Sequence, residues 1–163
     1  MPVIIILMGV SGSGKTTVGK LLAKDLGWEF YEGDDFHPQQ NILKMHRGIP
    51  LNDEDRIPWL VSLRLLIGRL LIQKNHAVIA CSALKHAYRA WLTKGHDDIV
   101  FVYLHGSYTL IHRRLQSRTA HFMNPGLLIS QFNALEEPQD GLCVNINQAP
   151  ENIVRQIKEA LQD

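Results

Sequence analysis

Residues 9–16 have the types and the spacing of a phosphate-binding loop. They read GVSGSGKT and match the pattern G-x-x-x-x-G-K-[ST], in which successive backbone N–H groups surround a chain of phosphates. In this pattern Lys15 would span the β- and γ-phosphates, and the Thr16 hydroxyl would bind Mg²⁺. The apolar run at 3–7 and the helically spaced apolar residues after the loop supply the strand and helix that the pattern requires. The chain is therefore predicted to bind a nucleoside triphosphate. The predicted nucleotide contacts in this loop are Gly9, Val10, Ser11, Gly12, Ser13, Gly14, Lys15, Thr16 and Thr17.

A second group of residues that could do chemistry lies at 32–38, after the second predicted strand. A carboxylate at this position can orient a substrate hydroxyl toward a γ-phosphate and accept its proton, and Asp34 is the candidate. The alternative for Asp34 is a helix cap or a turn. For His37, which precedes a proline and is therefore biased toward extended backbone, a substrate contact and a structural hydrogen bond are both open.

The third predicted strand ends in Cys81 and is followed by Ser82 and Lys85. No acidic residue ends this strand, so the carboxylate of a Walker B magnesium site is absent from it. A hydroxyl and a cation at this edge suit an anionic acceptor that carries many hydroxyl groups. For Lys85 the alternative is an ordinary lysine on a helix surface.

Two arginines precede a loop rich in turn-forming residues. Arg114 and Arg118 are spaced i, i+4 and share one helix face, and Asn124-Pro125-Gly126 then breaks the chain. Arginines on a flap can stabilise the charge of a transferring phosphoryl group and exclude water. The alternative is a solvated basic helix end, since cations are favoured at helix C-termini.

The elements that must position these residues alternate between strands and helices. The predicted strands lie at 3–8, 28–31, 77–81, 99–104 and 142–146. The predicted helices lie at 15–26, 38–47, 56–74, 85–94, 108–117, 126–135 and 150–161. This order predicts an α/β fold with a five-stranded parallel sheet and helices on both faces. Ligands of such sheets bind at the carboxyl ends of the strands, so the segments 9–16, 32–37, 82–85, 105–107 and 147–150 are expected to share one cleft.

Composition limits the classes of function. The chain has 163 residues, is 45% apolar and has a formal net charge of +1, which favours one globular domain and gives no reason to expect nucleic acid or membrane as a partner. Arg64 and Arg69 interrupt the most apolar helix, and the start lacks the features of a signal peptide. Cys81 and Cys143 lie in predicted strands and are expected to be buried, reduced thiols in a cytoplasmic protein.

Five further stretches carry a specific resemblance. They read GDDFHPQQNILKM at 33–45, GIPLNDEDRIPWL at 48–60, CSALKHAYR at 81–89, HFM at 121–123 and LLISQFNALEEP at 127–138. Together with the loop at 7–17 they resemble the corresponding stretches of the gluconate kinases, a family of P-loop NTPase fold related to adenylate kinase. The stretches occur in the same order as in that family and span almost the whole chain. The resemblance implies ATP- and Mg²⁺-dependent phosphorylation of D-gluconate at its 6-hydroxyl, in a homodimer. It also implies one kinase domain over 1–163, with an acceptor-binding insertion at about 37–58 and a lid at about 114–128.

The resemblance also assigns roles to individual residues. Asp34 would face the acceptor hydroxyl, and Arg114 and Arg118 would be lid arginines that contact the nucleotide. The implied catalytic residues are Lys15, Asp34 and Arg118. The implied gluconate contacts are Asp34, His37, Lys44, Arg56, Ser82, Lys85, Arg89 and His121. Which of Lys85, Arg56 and Arg89 meets the gluconate carboxylate is left open.

The chain departs from its relatives at two candidate positions. Glu32 stands where relatives often have aspartate, so Glu32 and Asp34 are both candidates for holding Mg²⁺ through water. Asn124 follows HFM, where many members have proline. The competing hypotheses are a kinase for another small hydroxylated acid, such as another sugar acid or shikimate, and a nucleotide-dependent switch or binding module. The switch lacks support because the chain has no N-K-x-D segment to select guanine.

Overall fold

The computed structural model describes residues 2–117 and 125–162 of the chain. Five parallel strands form one sheet in the order β2-β3-β1-β4-β5. The strands are β1 (Ile4–Met8), β2 (Glu29–Glu32), β3 (Ala77–Ala80), β4 (Ile99–His105) and β5 (Leu142–Asn145). The helices are α1 (Lys15–Leu26), α2 (Gln39–His46), α3 (Asp53–Ile72), α4 (His86–Thr93), α5 (Tyr108–Gln116), α6 (Pro125–Ala134) and α7 (Pro150–Leu161), with a 3₁₀ turn at Gly33–Phe36 after β2.

The central strand β1 divides the core into two halves. All of its side chains are apolar and fully buried, as expected for a strand covered on both faces. Ile4 and Ile6 pack with α3 and α4 on one face, whereas Ile5 and Leu7 pack with α1 and α7 on the other. The predicted α/β fold, with a five-stranded parallel sheet and helices on both faces, is confirmed.

Helix α3 begins three residues earlier than the sequence pattern predicted, and it has a different cap. The Asn52 side chain accepts a hydrogen bond from the Asp55 N–H, and the Asp55 carboxylate accepts one from the Asn52 N–H, which forms a capping box. A helix over 56–74 would have Asp55 as its cap and Pro58 in its first turn. Asp55 is instead the third residue of the helix. Pro58 lies inside α3 instead of in its first turn. Within the described parts of the chain, no helix combines the length and apolar content that a membrane span needs.

The two cysteines have different environments. Cys81 is buried, and burial raises the pKa of its thiol to about 12. Cys143 is exposed, so the prediction that both thiols are buried is wrong for this residue. The reason is that β5 is an edge strand of the sheet, with one neighbour instead of two. Both cysteines are free thiols.

Candidate active site

The loop between β1 and α1 has the backbone conformation of a phosphate-binding loop. Gly9, Gly12 and Gly14 have φ angles of 148°, 83° and 95°, a region that residues with a Cβ rarely adopt. Gly14 is the cap of α1 and has left-handed geometry, and the first turn of α1 contains no acidic side chain. The first N–H groups of α1 therefore remain available to an anion at the positive end of the helix.

Lys15 lies beneath this loop. Its ammonium donates hydrogen bonds to the Gly9 and Val10 carbonyls at 3.0 and 2.9 Å. Burial lowers the pKa of Lys15, and the charges of Asp34 and Glu32 oppose that shift. Desolvation makes this cation a strong partner for a phosphate oxygen.

The buried hydroxyl of Ser13 supports a phosphate ligand in the same loop. This Oγ atom is fully shielded and has no hydrogen-bond partner among the described residues. Buried polar atoms are rarely left unpaired, so an unpaired hydroxyl inside a phosphate-binding loop fits a bound ligand that completes its bonding.

Thr16 and Glu32 bring oxygen ligands together at the mouth of the loop. The Thr16 hydroxyl donates a hydrogen bond to Glu32 Oε2, and the Asp34 N–H donates to Glu32 Oε1 at 3.5 Å. Burial raises the pKa of Glu32. Hydroxyl and carboxylate oxygens are ligands that Mg²⁺ prefers, usually together with phosphate oxygens and water. Within residues 2–117 and 125–162, no group of three or more His, Cys, Asp or Glu side chains could hold a metal.

These groups line one depression, which we call the P-loop cleft. Its lining residues are Ser11, Gly12, Gly14, Lys15, Thr16, Thr17, Glu32 and Asp34. A neighbouring depression, the adjoining cleft, is formed by α2, α3, α6 and the segment after β3. Its lining residues are Ser11, Lys15, Asp34, His37, Met45, Pro50, Leu51, Arg56, Trp59, Ser82, Leu84, Leu127, Ser130 and Gln131. Ser11, Lys15 and Asp34 belong to both clefts, so these residues mark the junction where the two meet.

The position of Asp34 at this junction follows from the residue before it. Gly33 packs so closely on β3 that a Cβ atom would lie 2.3 Å from the Ala80 carbonyl oxygen. The Gly33 carbonyl also accepts a hydrogen bond of 2.8 Å from the buried indole N–H of Trp59 on α3. Glycine is thus required at 33, and the 3₁₀ turn that carries Asp34 is fixed to both β3 and α3.

His37 makes the structural contacts that were one of its two alternatives. Its ring stacks on Trp59 with a centroid distance of 4.5 Å, and Nδ1 lies 3.2 Å from the Asn41 side-chain amide. Burial lowers the pKa of His37, which favours the neutral ring. The ring also lines the adjoining cleft, so both roles proposed for His37 remain compatible with its position.

Three of the cations predicted to bind the acceptor occupy different environments. Arg56 lines the adjoining cleft and donates a hydrogen bond to the Tyr88 hydroxyl at 2.9 Å. Lys44 instead forms an ion pair with both carboxylate oxygens of Asp55, at 3.0 and 2.9 Å. Lys85 pairs with Asp53 at 2.9 Å. Neither lysine lines the adjoining cleft, because each forms an ion pair with a carboxylate in the first turn of α3.

Arg89 is the fourth predicted cation, and it is buried. Its guanidinium donates hydrogen bonds to the carbonyls of Ala83, Leu84 and Glu136 at 2.7, 3.1 and 2.8 Å. Burial lowers its pKa. These bonds tie the segment after β3 to the segment after α6. The structure therefore gives Arg89 a structural position outside the adjoining cleft, although it was predicted to bind the acceptor.

The remaining predicted residues lie in other places. Ser82 lines the adjoining cleft, and its carbonyl accepts a hydrogen bond from the Gly9 N–H. Arg114 donates to the Ile146 carbonyl at 2.7 Å, just after β5. Arg118 and His121 lie outside the described residues. The segments 105–107 and 147–150 were expected to join the shared cleft, but neither lines one of the two clefts described above.

The sequence did not single out two residues of the adjoining cleft, Trp59 and Gln131, as site residues. Trp59 fixes the carbonyl of Gly33, and Gln131 of α6 accepts a hydrogen bond of 2.6 Å from the Ser11 N–H through its Oε1 atom. Both lie in stretches that carry the family resemblance, at 48–60 and 127–138. That resemblance was the available signal, because no local pattern links residue 11 to residue 131.

The parallel sheet and the phosphate-binding loop define a P-loop NTPase fold, which is the fold of the small P-loop kinases. In agreement, the sequence model of the family described as shikimate kinase matches residues 11–162. Within this class, the chain is 46% identical over 160 residues to the thermosensitive gluconokinase of Escherichia coli (strain K12), covering 96% of this chain and 86% of that protein. It is 42% identical over 182 residues to a probable gluconokinase of Rattus norvegicus, covering 99% and 98% of the two chains.

A solved structure agrees with these similarities. The crystal structure of a gluconokinase from Sinorhizobium meliloti 1021 superposes with a TM-score of 0.85 and 41% sequence identity, covering 99% of this chain and 96% of that chain. Similarity at this level extends over the sheet, the P-loop and the adjoining cleft together. The chain belongs to the gluconokinase family.

Proposed function

We propose that this protein transfers the γ-phosphoryl group of ATP to the 6-hydroxyl of D-gluconate. The observation that carries this proposal is the junction of the two clefts, where Lys15 and Asp34 face a cavity that also contains Arg56. One continuous site thus offers a cation for phosphate, a carboxylate for a hydroxyl and a guanidinium for an acidic acceptor. The position of transfer can be read by ³¹P NMR of the product. A phosphate on C6 couples to two methylene protons, whereas a phosphate on any other hydroxyl-bearing carbon of gluconate couples to one.

The P-loop residues would act on the donor. The loop amides, the α1 N-terminus and Lys15 bind and orient the phosphate chain. The Thr16 hydroxyl would bind Mg²⁺, with Glu32 or Asp34 holding it through water. When bound, Mg²⁺ neutralises charge on the phosphoryl oxygens. The paired oxygens of Thr16 and Glu32 support this assignment.

Asp34 would act on the acceptor. It lies at the junction of the two clefts, beside the place where a γ-phosphoryl group would reach the adjoining cleft. From this position its carboxylate can align the attacking hydroxyl and accept the proton as the bond to phosphorus forms. Because the turn that carries Asp34 is fixed by Gly33 and Trp59, the backbone position of Asp34 is set before the acceptor binds.

Arg56 is the cation that we assign to the gluconate carboxylate. Of the three candidates, it alone lines the adjoining cleft, whereas Lys85 pairs with Asp53 and Arg89 binds backbone carbonyls. The Tyr88 hydroxyl holds the guanidinium and in turn donates to Asp53. A guanidinium held in this way can bind both oxygens of a carboxylate.

Replacing Arg56 with methionine should therefore weaken gluconate more than ATP. A lost hydrogen bond to a charged group costs about 1.5–3 kcal/mol, which corresponds to a rise of roughly ten- to a hundredfold in the KM for gluconate. The KM for ATP should change by less than about twofold, because Arg56 is assigned a contact with gluconate and none with ATP. Steady-state kinetics with each substrate varied measures both values. Lys85→Met is the matched control, and the assignment is wrong if this variant raises the KM for gluconate while Arg56→Met does not.

The lid and the acceptor-binding segment are proposed with the same bounds that the sequence suggested. Residues 37–58 include α2 and the start of α3. This segment contributes His37, just before α2, and Met45 and Arg56 to the adjoining cleft. The lid at 114–128 would carry Arg114 and Arg118 over the nucleotide. The contact of Arg114 with the carbonyl after β5 supports a position at the carboxyl edge of the sheet, where ligands of such sheets bind.

We also propose a homodimer, supported by an apolar stripe on α3. Ile57, Val61, Leu65 and Ile72 are 56%, 42%, 70% and 85% exposed, and their spacing places them along one side of the helix. Light scattering at micromolar concentration should give twice the mass of one chain, and Leu65→Glu should shift the mass toward one chain. A wild-type protein with the mass of one chain would remove this part of the proposal.

A further inference from the structure

The junction of the two clefts contains a contact for which the reaction scheme above has no role. Ser11, Lys15 and Asp34 line both clefts, and roles follow for the lysine and the aspartate. The Ser11 N–H donates a hydrogen bond to Gln131 Oε1 at 2.6 Å, across 120 positions of the sequence. Gln131 is therefore bonded to the P-loop at the point where the phosphoryl group would cross from one cleft to the other.

The helix that carries Gln131 is held firmly at its carboxyl end. The Glu136 N–H donates to the Leu84 carbonyl at 2.8 Å, and the Glu136 carboxylate accepts from the His86 N–H at 2.7 Å. Arg89 binds the Glu136 carbonyl from the same side. Leu127 and Leu128 of α6 are buried. These contacts fix the position of α6, and therefore of the backbone of Gln131, relative to the segment after β3.

The amide of Gln131 has bonding capacity beyond the P-loop contact. Its oxygen accepts from Ser11, and its nitrogen carries two N–H donors, which have no partner among the described residues. Gln131 also lines the adjoining cleft. One side chain can therefore bond the P-loop with its oxygen and an acceptor oxygen with its nitrogen.

We propose that Gln131 is a positioning residue that aligns the acceptor with the P-loop through these two ends of its amide. This inference rests on the proposed function and deepens it, because it assigns the group that orients the sugar acid beside Asp34. The ligand of the Nε2 group is an oxygen of a polyhydroxy acid close to the attacking hydroxyl. Without this contact the acceptor would still bind through its carboxylate, but its hydroxyl would lose alignment with the phosphoryl group.

Two isosteric variants test the two ends of the amide. Gln131→Glu keeps an acceptor for the Ser11 N–H but has no donor for the substrate, and Gln131→Met has neither. Small misplacements of reacting groups can cost about a hundredfold in rate, so both variants should lower kcat at least about tenfold. The KM for ATP should stay within about twofold, because positioning in the transition state is lost and ground-state binding is not.

The ratio of ADP to phosphorylated gluconate supplies a readout that a structural role would not move. A misaligned acceptor leaves the phosphoryl group open to water, so in both variants more ADP should form than phosphorylated gluconate. Asn133→Ala, on the exposed side of the same helix, is the control and should keep the wild-type rate and a ratio of one. The inference fails if Gln131→Glu retains kcat within about twofold, or if the ratio stays at one in both variants. If the wild-type protein itself does not phosphorylate gluconate, the proposed function fails instead.

Discussion

Lys15→Ala is expected to lower kcat by about three orders of magnitude or more, the scale on which single cations act in phosphoryl transfer. The ammonium is the half-buried cation of the P-loop, and the two backbone carbonyls that now bind it lie in the loop itself. A phosphate oxygen would meet this charge in a desolvated site, where electrostatic stabilisation is larger than in water. Single-turnover rates at saturating ATP and gluconate measure the loss.

The fold should survive this substitution. Burial lowers the pKa of Lys15, which means that the charged form is costly to bury, and alanine removes that cost together with two hydrogen bonds. Lys20→Ala, on the exposed side of the same helix, is the matched control. An alanine variant that keeps more than about a tenth of the wild-type kcat would contradict a role for Lys15 in transition-state stabilisation.

Asp34→Asn is expected to lower kcat by about 10²- to 10⁴-fold, the range for loss of a positioned general base. Asparagine has the same size and can accept a hydrogen bond, but it cannot take the proton of the attacking hydroxyl. The KM for ATP should change far less than kcat, because the P-loop supplies the contacts to the donor. Steady-state kinetics with a direct measurement of ATP affinity separates the two effects.

The neighbouring carboxylate provides the control for Asp34. Asp35 lies in the same 3₁₀ turn but lines neither cleft, so Asp35→Asn should retain kcat. Burial lowers the pKa of Lys15, and the negative charge of Asp34 opposes that shift. The measured ATP affinity of Asp34→Asn shows whether this interaction between the two side chains affects donor binding. Near wild-type turnover in Asp34→Asn would remove Asp34 from its proposed role.

The sheet could be predicted because each strand corresponds to a short run of apolar residues that are neighbours in the sequence. The apolar run of β1 and the helical spacing after it depend only on neighbouring residues, and α1 and α7 begin and end where the spacing predicts. The start of α3 was misplaced because Asn52 and Asp55 can both cap a helix, and their reciprocal hydrogen bonds decide between them. The exposure of Cys143 depends on which strand lies at the edge of the sheet. The order of the strands decides this, and no local sequence pattern gives that order.

The candidate site could be predicted where a reactive residue type directly follows a strand. It could not be predicted where a side chain pairs with a residue of another helix or loop. The P-loop and Asp34 follow strands directly, so the topology brings them together. Lys44 and Lys85 looked equivalent to Arg56 in the sequence, but carboxylates of α3 bind both lysines and leave the arginine in the cleft. The contact of Gln131 with the P-loop spans 120 residues and has no local signature.

Acceptor selectivity tests the central proposal, that gluconate is the substrate, most directly. The measurement is kcat/KM for ADP formation with gluconate, idonate, gulonate, shikimate and nucleoside monophosphates, each with ATP and Mg²⁺. A site that hydrogen-bonds a substrate hydroxyl strongly rejects analogues that leave its polar groups unpaired. We predict that gluconate exceeds every other acceptor by at least about tenfold, a difference of about 1.4 kcal/mol in transition-state binding. A value for shikimate or another acceptor that equals or exceeds that for gluconate would contradict the proposal.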